Sequence, residues 1–243
     1  MTDDSSHRRA FIRVSTLAGA GLIFAGAVPS WAADPEPKPA KDSAQPKPEE
    51  DVSPAEDLMR EHGVLKRVML VYDEVLRRWD KNQDVAPEIL ADASGMIRHF
   101  VEDYHEKLEE DYLFPRFEKA NKLTELVKTL KAQHQAGRTV TDIVIRRANA
   151  RDLKDTEERA KVVDAIRQFN RMYAPHEARE DTVLFPAFRR LVSANEYDSL
   201  GEDFEKKENE LFGDDGFERM VDKVAGIEKK LGIYDLAQFT PKI

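Results

Sequence analysis

The 243-residue chain contains no cysteine, which excludes disulfide frameworks, thiolate metal sites, cysteine nucleophiles and lipid attachment through an N-terminal cysteine. Glycine and proline are scarce at 11 and 12, and the prolines bunch near the N-terminus, leaving little turn material for a β-sandwich. Long Val/Ile runs are missing as well, which argues against a buried parallel sheet. Positive charge is in deficit: 38 Lys and Arg face 47 Asp and Glu, a formal net charge of −9, the reverse of a nucleic-acid-binding footprint. What is present is 41% hydrophobic and 35% charged residues, the balance of helices that each hide one stripe and solvate the rest. The length suits one ordinary domain with appendages. Chemistry must then run on His, carboxylates, Tyr or backbone.

The first 32 residues stand apart. His7-Arg8-Arg9-Ala10-Phe11-Ile12-Arg13 precedes a mildly apolar, Gly/Ala-rich stretch over residues 14–28, and the arrangement resembles a twin-arginine export signal. The apolar run is shorter than the roughly 18 residues of a membrane span, and Ser30-Trp31-Ala32 offers small residues for cleavage after Ala32. The competing reading is an uncleaved membrane anchor. Cleavage would deliver the protein to the periplasm with no stable membrane span. Residues 33–54 are rich in Pro, Lys, Asp and Glu, without apolar periodicity, and are expected to form a disordered tether.

From Leu58 the pattern is helical. Leu58, His62, Leu65, Met69, Tyr72, Leu76 and Trp79 alternate at steps of four and three, the seam of a bundle helix. A less clean second stripe runs Ile89, Ala93, Met96/Ile97, Phe100/Val101, Tyr104/His105, Leu108 and Tyr112, until Leu113-Phe114-Pro115 ends or kinks it. The third reads Leu123, Val127, Leu130, His134, Gly137, Thr141 and Val144, and the fourth Val162, Ile166, Phe169, Tyr173, His176, Glu180 and Val183. Pro175 falls inside the fourth without a change of phase, so a kink is favoured over a new helix start. The expected fold is all-α, an antiparallel up-down-up-down four-helix bundle over residues 55–192, followed by a C-terminal helical extension over residues 193–243. In that extension Phe217, Met220/Val221, Val224, Ile227 and Leu231 mark one amphipathic helix, expected to pack on the bundle or on a second copy.

Four histidines, His62, His105, His134 and His176, occupy seam positions that would otherwise hold Leu, one in each helix. His105 and Glu109 are four apart, as are His176 and Glu180, so each pair lies on one face of its helix. The layout repeats: His62 to His105 is 43 residues and His134 to His176 is 42. The thirteen residues from His105 to Phe117 match the thirteen from His176 to Phe188 at seven positions, the mark of an internal two-fold. Burying four imidazoles and two carboxylates is costly unless something satisfies them, and a pair of divalent ions does so. Neutral imidazoles with bridging carboxylates and no thiolate suit Fe, Mn or Zn, with two His per metal and Glu109 and Glu180 shared. Positions would remain open for solvent or a small ligand. His99, six residues from His105, is read as a hydrogen-bonded core residue and not a ligand. Glu106 and Glu177 are either supporting or solvated groups, and Tyr173 either plain core or a donor to a metal-bound ligand.

On these residues, above all the doubled His-x-x-x-Glu motif with its following Leu-Phe-Pro, the chain resembles the hemerythrin-like, His-His-Glu cation-binding family across residues 55–192. The resemblance implies a non-haem di-iron site of two Fe ions held by His62, His105, Glu109, His134, His176 and Glu180. It also implies binding of O2 or related diatomics, or iron handling. Two departures stand out. Oxygen carriers of the family place another His one turn after the third-helix His, where this chain has Arg138, and they use a more widely spaced Asp where it has Glu180. Arg138 then either sets a positive charge beside a bound anion or points to solvent. The four-His, two-Glu set is more similar to the family's iron-sulfur repair proteins and its iron-sensing ubiquitin-ligase subunit. The leading expectation is an exported metal-binding protein whose open position takes O2, NO or peroxide in sensing, scavenging or iron handling. The alternatives are a peroxidase-like, catalase-like or NO-reducing enzyme, and an iron donor or store.

Overall fold

The computed structural model describes residues 52–242. The expected export segment and residues 33–51 of the expected tether lie outside the described residues. All regular structure among the described residues is helical.

The first bundle helix, Pro54–Asp80, begins where Ser53 accepts the Glu56 N–H on its hydroxyl, with Pro54 in the first turn and Glu56 and Asp57 facing the positive helix end. Arg77 and Arg78 close the other end. Its buried face is the one the spacing marks, including Leu58, His62, Leu65, Met69 and Tyr72.

The second helix starts as Pro87–Met96, turns π-helical over Ile97–His105, makes one α turn at Glu106–Leu108, is π-helical again over Glu109–Leu113, and finishes as Phe114–Lys119. Pro115 therefore neither ends the helix nor stands in an unbroken α ladder. The Phe114 N–H reaches back to the Glu109 carbonyl, five residues away, and Pro115 falls in the first turn of the new α segment, where its missing N–H costs little. The apolar residues doubled at 96/97, 100/101 and 104/105 fit this widened helix, since Ile97, Phe100, Val101, Tyr104 and His105 are all buried.

After a connection of residues 120–123 the third helix, Thr124–Arg147, begins at a left-handed Leu123 with φ of 49°. A short helix at Ala150–Lys154 leads to the fourth, Thr156–Arg179, whose first N–H groups, of Glu157 and Glu158, are taken by the Asp155 carboxylate. This helix runs through Pro175, passes into π-helical Glu180–Leu184 and ends as Phe185–Leu191. The π turn adds a residue, so the fourth stripe shifts: Leu184 and Phe185 are buried, whereas Val183, which the spacing selects, is only half-buried. The first helix packs on the second and fourth, and the third packs on the same two, giving a four-helix bundle.

Beyond the bundle lie two helices, Ala194–Phe212 and Gly216–Leu231, of which the sequence pattern shows only the second. The Ala55 N–H donates to the Tyr197 hydroxyl at the start of the first helix, and Arg67 grips Glu228 with a two-pronged bond of 2.9 and 2.5 Å. Phe204 packs edge-on against Tyr112, and Phe212 against Phe100 and Tyr104. The extension thus lies on the first two helices. Among the described residues no helix is long and apolar enough to cross a membrane.

Candidate metal centre

The bundle brings His62, His105, Glu109, His134, His176 and Glu180 together in its interior, none more than 4% exposed. The ligand-bearing turns coincide with the π segments: His105 closes one and Glu109 opens the next, while Glu180 opens the third one turn after His176. A π turn is a common device at functional sites because it redirects one side chain while the helix continues.

Each imidazole is oriented from behind. His62 Nδ1 lies 2.8 Å from Asp181, His105 Nδ1 2.7 Å from Glu61, His134 Nδ1 3.1 Å from Glu110 and His176 Nδ1 2.9 Å from the Gln133 carbonyl oxygen. With Nδ1–H donating outward, the four Nε2 lone pairs face the centre, the tautomer that a metal requires. The inward separations are 3.4 Å from His62 Nε2 to Glu180, 3.9 Å from His105 Nε2 to Glu109, 3.4 Å from His134 Nε2 to Glu109 and 3.1 Å from His176 Nε2 to Glu180. With each imidazole neutral and its one proton given to the outer acceptor, as metal binding demands, these are contacts between lone-pair atoms across a shared centre. Both carboxylate oxygens of Glu109 and of Glu180, and Nε2 of His134, are buried without a hydrogen bond. Orphaned acceptors of this kind are costly unless a cation takes them, so the donor set fits metal ions. Of the four His/carboxylate groups whose candidate atoms lie within 4.8 Å of one another among the described residues, two are built from these six residues, Glu109/His134/His176/Glu180 and His62/His105/Glu109. They share Glu109, and Glu180 reaches both sides through His62 and His176.

Without metal, protons must stand in for cations. Burial lowers the basicity of His62 and His134, but the facing carboxylates of Asp181 and Glu180 on one, and of Glu109 and Glu110 on the other, outweigh it and hold both at about 10. Burial pushes His105 down to about 4. Burial and the charge of Glu180 push Glu109 up to about 7. Burial also opposes ionisation of Glu180, yet His176 and His62 hold it below the usual carboxylate range.

The residues left open by the spacing take definite places. Glu106, 1% exposed, receives the Tyr173 hydroxyl at 2.5 Å and pairs with Arg138 at 2.7 Å. Arg138 also binds Glu110 at 2.8 Å, so it neither faces the centre nor points to solvent; it holds two carboxylates behind His134. Tyr173 is buried core that donates to Glu106, and Gly137 makes room for it, since a Cβ there would meet the Tyr173 hydroxyl at 2.1 Å. Glu177 is buried and paired with Lys66 at 2.5 Å. His99 stands outside the cluster, but at the surface and not in the core, 74% exposed and 3.3 Å from Asp103. The outer acceptors Glu61, Gln133 and Asp181 are not singled out by the sequence pattern, although Glu61 and Gln133 each directly precede a seam His, which is the signal that finds them.

Uncharacterised proteins of Mycobacterium bovis and of two strains of Mycobacterium tuberculosis are each 45% identical to the chain over 234 residues, spanning 96% of it and 91% of the relative. No solved structure matches. The model of the hemerythrin HHE cation-binding domain, whose members bind metal ions, typically iron, matches twice, at residues 53–150 and 127–231. By that double match and by its buried His/Glu cluster, this chain belongs to the hemerythrin HHE cation-binding family.

Proposed function

We propose that the chain is an exported non-haem di-iron protein whose metal pair keeps a position open for O2, NO or peroxide, in sensing, scavenging or iron handling. Two observations from the sequence bear on export: the twin arginines at Arg8 and Arg9 and the small residues before position 33. In this reading residues 1–32 are a cleaved signal, residues 33–54 a tether, residues 55–192 the metal-binding bundle and residues 193–243 its extension, and the mature protein is periplasmic.

The observation that carries the metal reading is the set of four inward Nε2 atoms, each fixed by an outer acceptor, around two carboxylates whose oxygens have no other partner. Two imidazoles and two shared carboxylates per ion leave coordination positions unfilled, the condition for binding an exogenous small ligand. His62 and His105 would hold one ion and His134 and His176 the other, with Glu109 and Glu180 between them. Iron in such a site supplies reversible redox chemistry and a seat for diatomic ligands.

Elemental analysis of protein purified through its export pathway tests this directly. About two iron per chain is the expected result, with an absorption spectrum that changes on adding azide or NO. Zinc alone, or no metal, would overturn it. Rapid turnover of peroxide or NO would move the protein to the enzymes, and ready loss of iron to a chelator would move it to the donors.

A further inference from the structure

The internal two-fold extends past the ligands to the groups that orient them, and it fails at one of them. Aligning the repeats in sequence pairs His62 with His134 and His105 with His176, and it pairs Asp181, behind His62, with Glu110, behind His134. The Lys66–Glu177 pair falls on the Arg138–Glu106 pair in the same way. Glu61, however, falls on Gln133. The acceptor behind His105 is a carboxylate at 2.7 Å, 2% exposed, whereas the acceptor behind His176 is a neutral amide at 2.9 Å. A second inequality points the same way: the Glu110 carboxylate behind His134 is shared with Arg138 and Lys107, which draw on its charge.

A carboxylate accepting from Nδ1–H pushes electron density onto Nε2 and makes the imidazole a stronger ligand; an amide does so less. We infer that Glu61 and Gln133 are positioning residues that make the two metal positions unequal, the His62–His105 position holding its ion tightly and the His134–His176 position holding its ion loosely enough to exchange. This rests on the two-metal reading above. The loosely held ion, with weaker imidazole donors, is the more Lewis-acidic of the two and therefore the one at which an incoming anionic or diatomic ligand is seated.

The test is calorimetric titration of the metal-free full chain with cobalt(II) alone, followed in parallel by the cobalt absorption bands. Wild type should take up two ions in two steps separated about 10- to 100-fold in affinity, the size of effect that outer hydrogen-bond partners have on metal sites. Gln133→Glu should tighten the weaker step and close the gap. That gain of affinity is a result that damage to the fold does not produce, so it holds the test together even if Glu61→Gln, at a buried position, fails to fold. Glu61→Gln, where it folds, should loosen the tighter step, and His176→Ala should delete the weaker step and leave the tighter one in place. Two ions bound with equal affinity in wild type, or a gap unchanged in Gln133→Glu, overturns the inference alone. Uptake of fewer than two ions overturns the two-metal reading and the inference with it.

Discussion

The two halves of the bundle solve one problem with different side chains. Where the first half places Leu65 on its lone-His helix and Glu102 one turn before its motif His, the second places Gly137 and Tyr173 at the equivalent positions. In the second half the two positions meet: Gly137 has no side chain where the Tyr173 phenol lies. The electrostatic result is unequal. The Tyr173 hydroxyl donates to the buried Glu106, whereas Glu102 brings a further buried carboxylate, satisfied in part by Arg98 at 2.9 Å. The six centre-facing residues are thus repeated across the two halves, while the residues around them differ.

The comparison is broken most severely by removing what both halves share. Glu109→Ala takes one oxygen-donor residue from both ion positions, so metal content should fall from about two ions per chain to one or fewer. Elemental analysis reads this, and full occupancy in the variant would mean that Glu109 does not bridge. Chelation should come next in size. Each ion bound at a hundred times its dissociation constant adds about 2.7 kcal/mol to stability, so the metal-free chain should melt well below the loaded one, and identical melting curves would leave the six buried ligands without a role.

Gly137→Ala tests the matched pair of the second half. Its methyl would overlap the Tyr173 hydroxyl and break the bond to Glu106, and overpacking of this kind costs about 1–3 kcal/mol; chemical denaturation of the metal-free protein measures it. Glu102→Gln tests the first half. Burial raises the Glu102 carboxyl to about 7, against the opposing pull of the Thr141 hydroxyl and the charges of Arg98 and Arg138. Because that value lies above the ordinary 4.5, the stability tied to its protonated form is complete below pH 4.5 and is lost as pH rises through about 7. The amide escapes this loss, so the variant should gain on wild type by up to about 3 kcal/mol between pH 5 and pH 8, and a pH-independent difference would sink the assignment. His99→Ala marks the floor, with no change in metal content, since its ring lies in solvent.

Much of this was legible before any fold was known. Seam positions at alternating fours and threes identify the bundle because burial on a straight helix repeats with the helical turn, and a His at such a position must be satisfied. The π turns were not legible as such, because the only trace of them is a doubling of apolar residues at 96/97, 100/101 and 104/105, which reads as a blurred α stripe. The helix Ala194–Phe212 escaped for a chemical reason. Its seam Tyr197, Leu200, Phe204 and Glu208 includes a carboxylate that is buried because it accepts the Phe217 N–H of the next helix. The outer acceptors depend on the register between neighbouring helices, which periodicity within one helix does not contain. Arg138 was visible as a departure, but its partners Glu106 and Glu110 lie on the facing helix.

The π turns carry a consequence for how a rigid rod can serve two masters. One extra residue in a helix rotates everything beyond it by about 100° relative to an unbroken α ladder. At the start of the second π segment of the helix, His105 and Glu109 face the centre; beyond it Leu113, Phe114 and Phe117 are buried, as Leu184, Phe185 and Phe188 are in the other half. Phe114 stacks on His134 and Phe185 on His62, so the end segment of each motif helix presses on the lone histidine of the opposite repeat. Deleting the surplus residue would leave composition and length almost untouched, yet it would turn Phe114 and Phe185 away from the histidines they stack on. Each Leu-Phe-Pro triplet is in this sense set at an angle to its own stem.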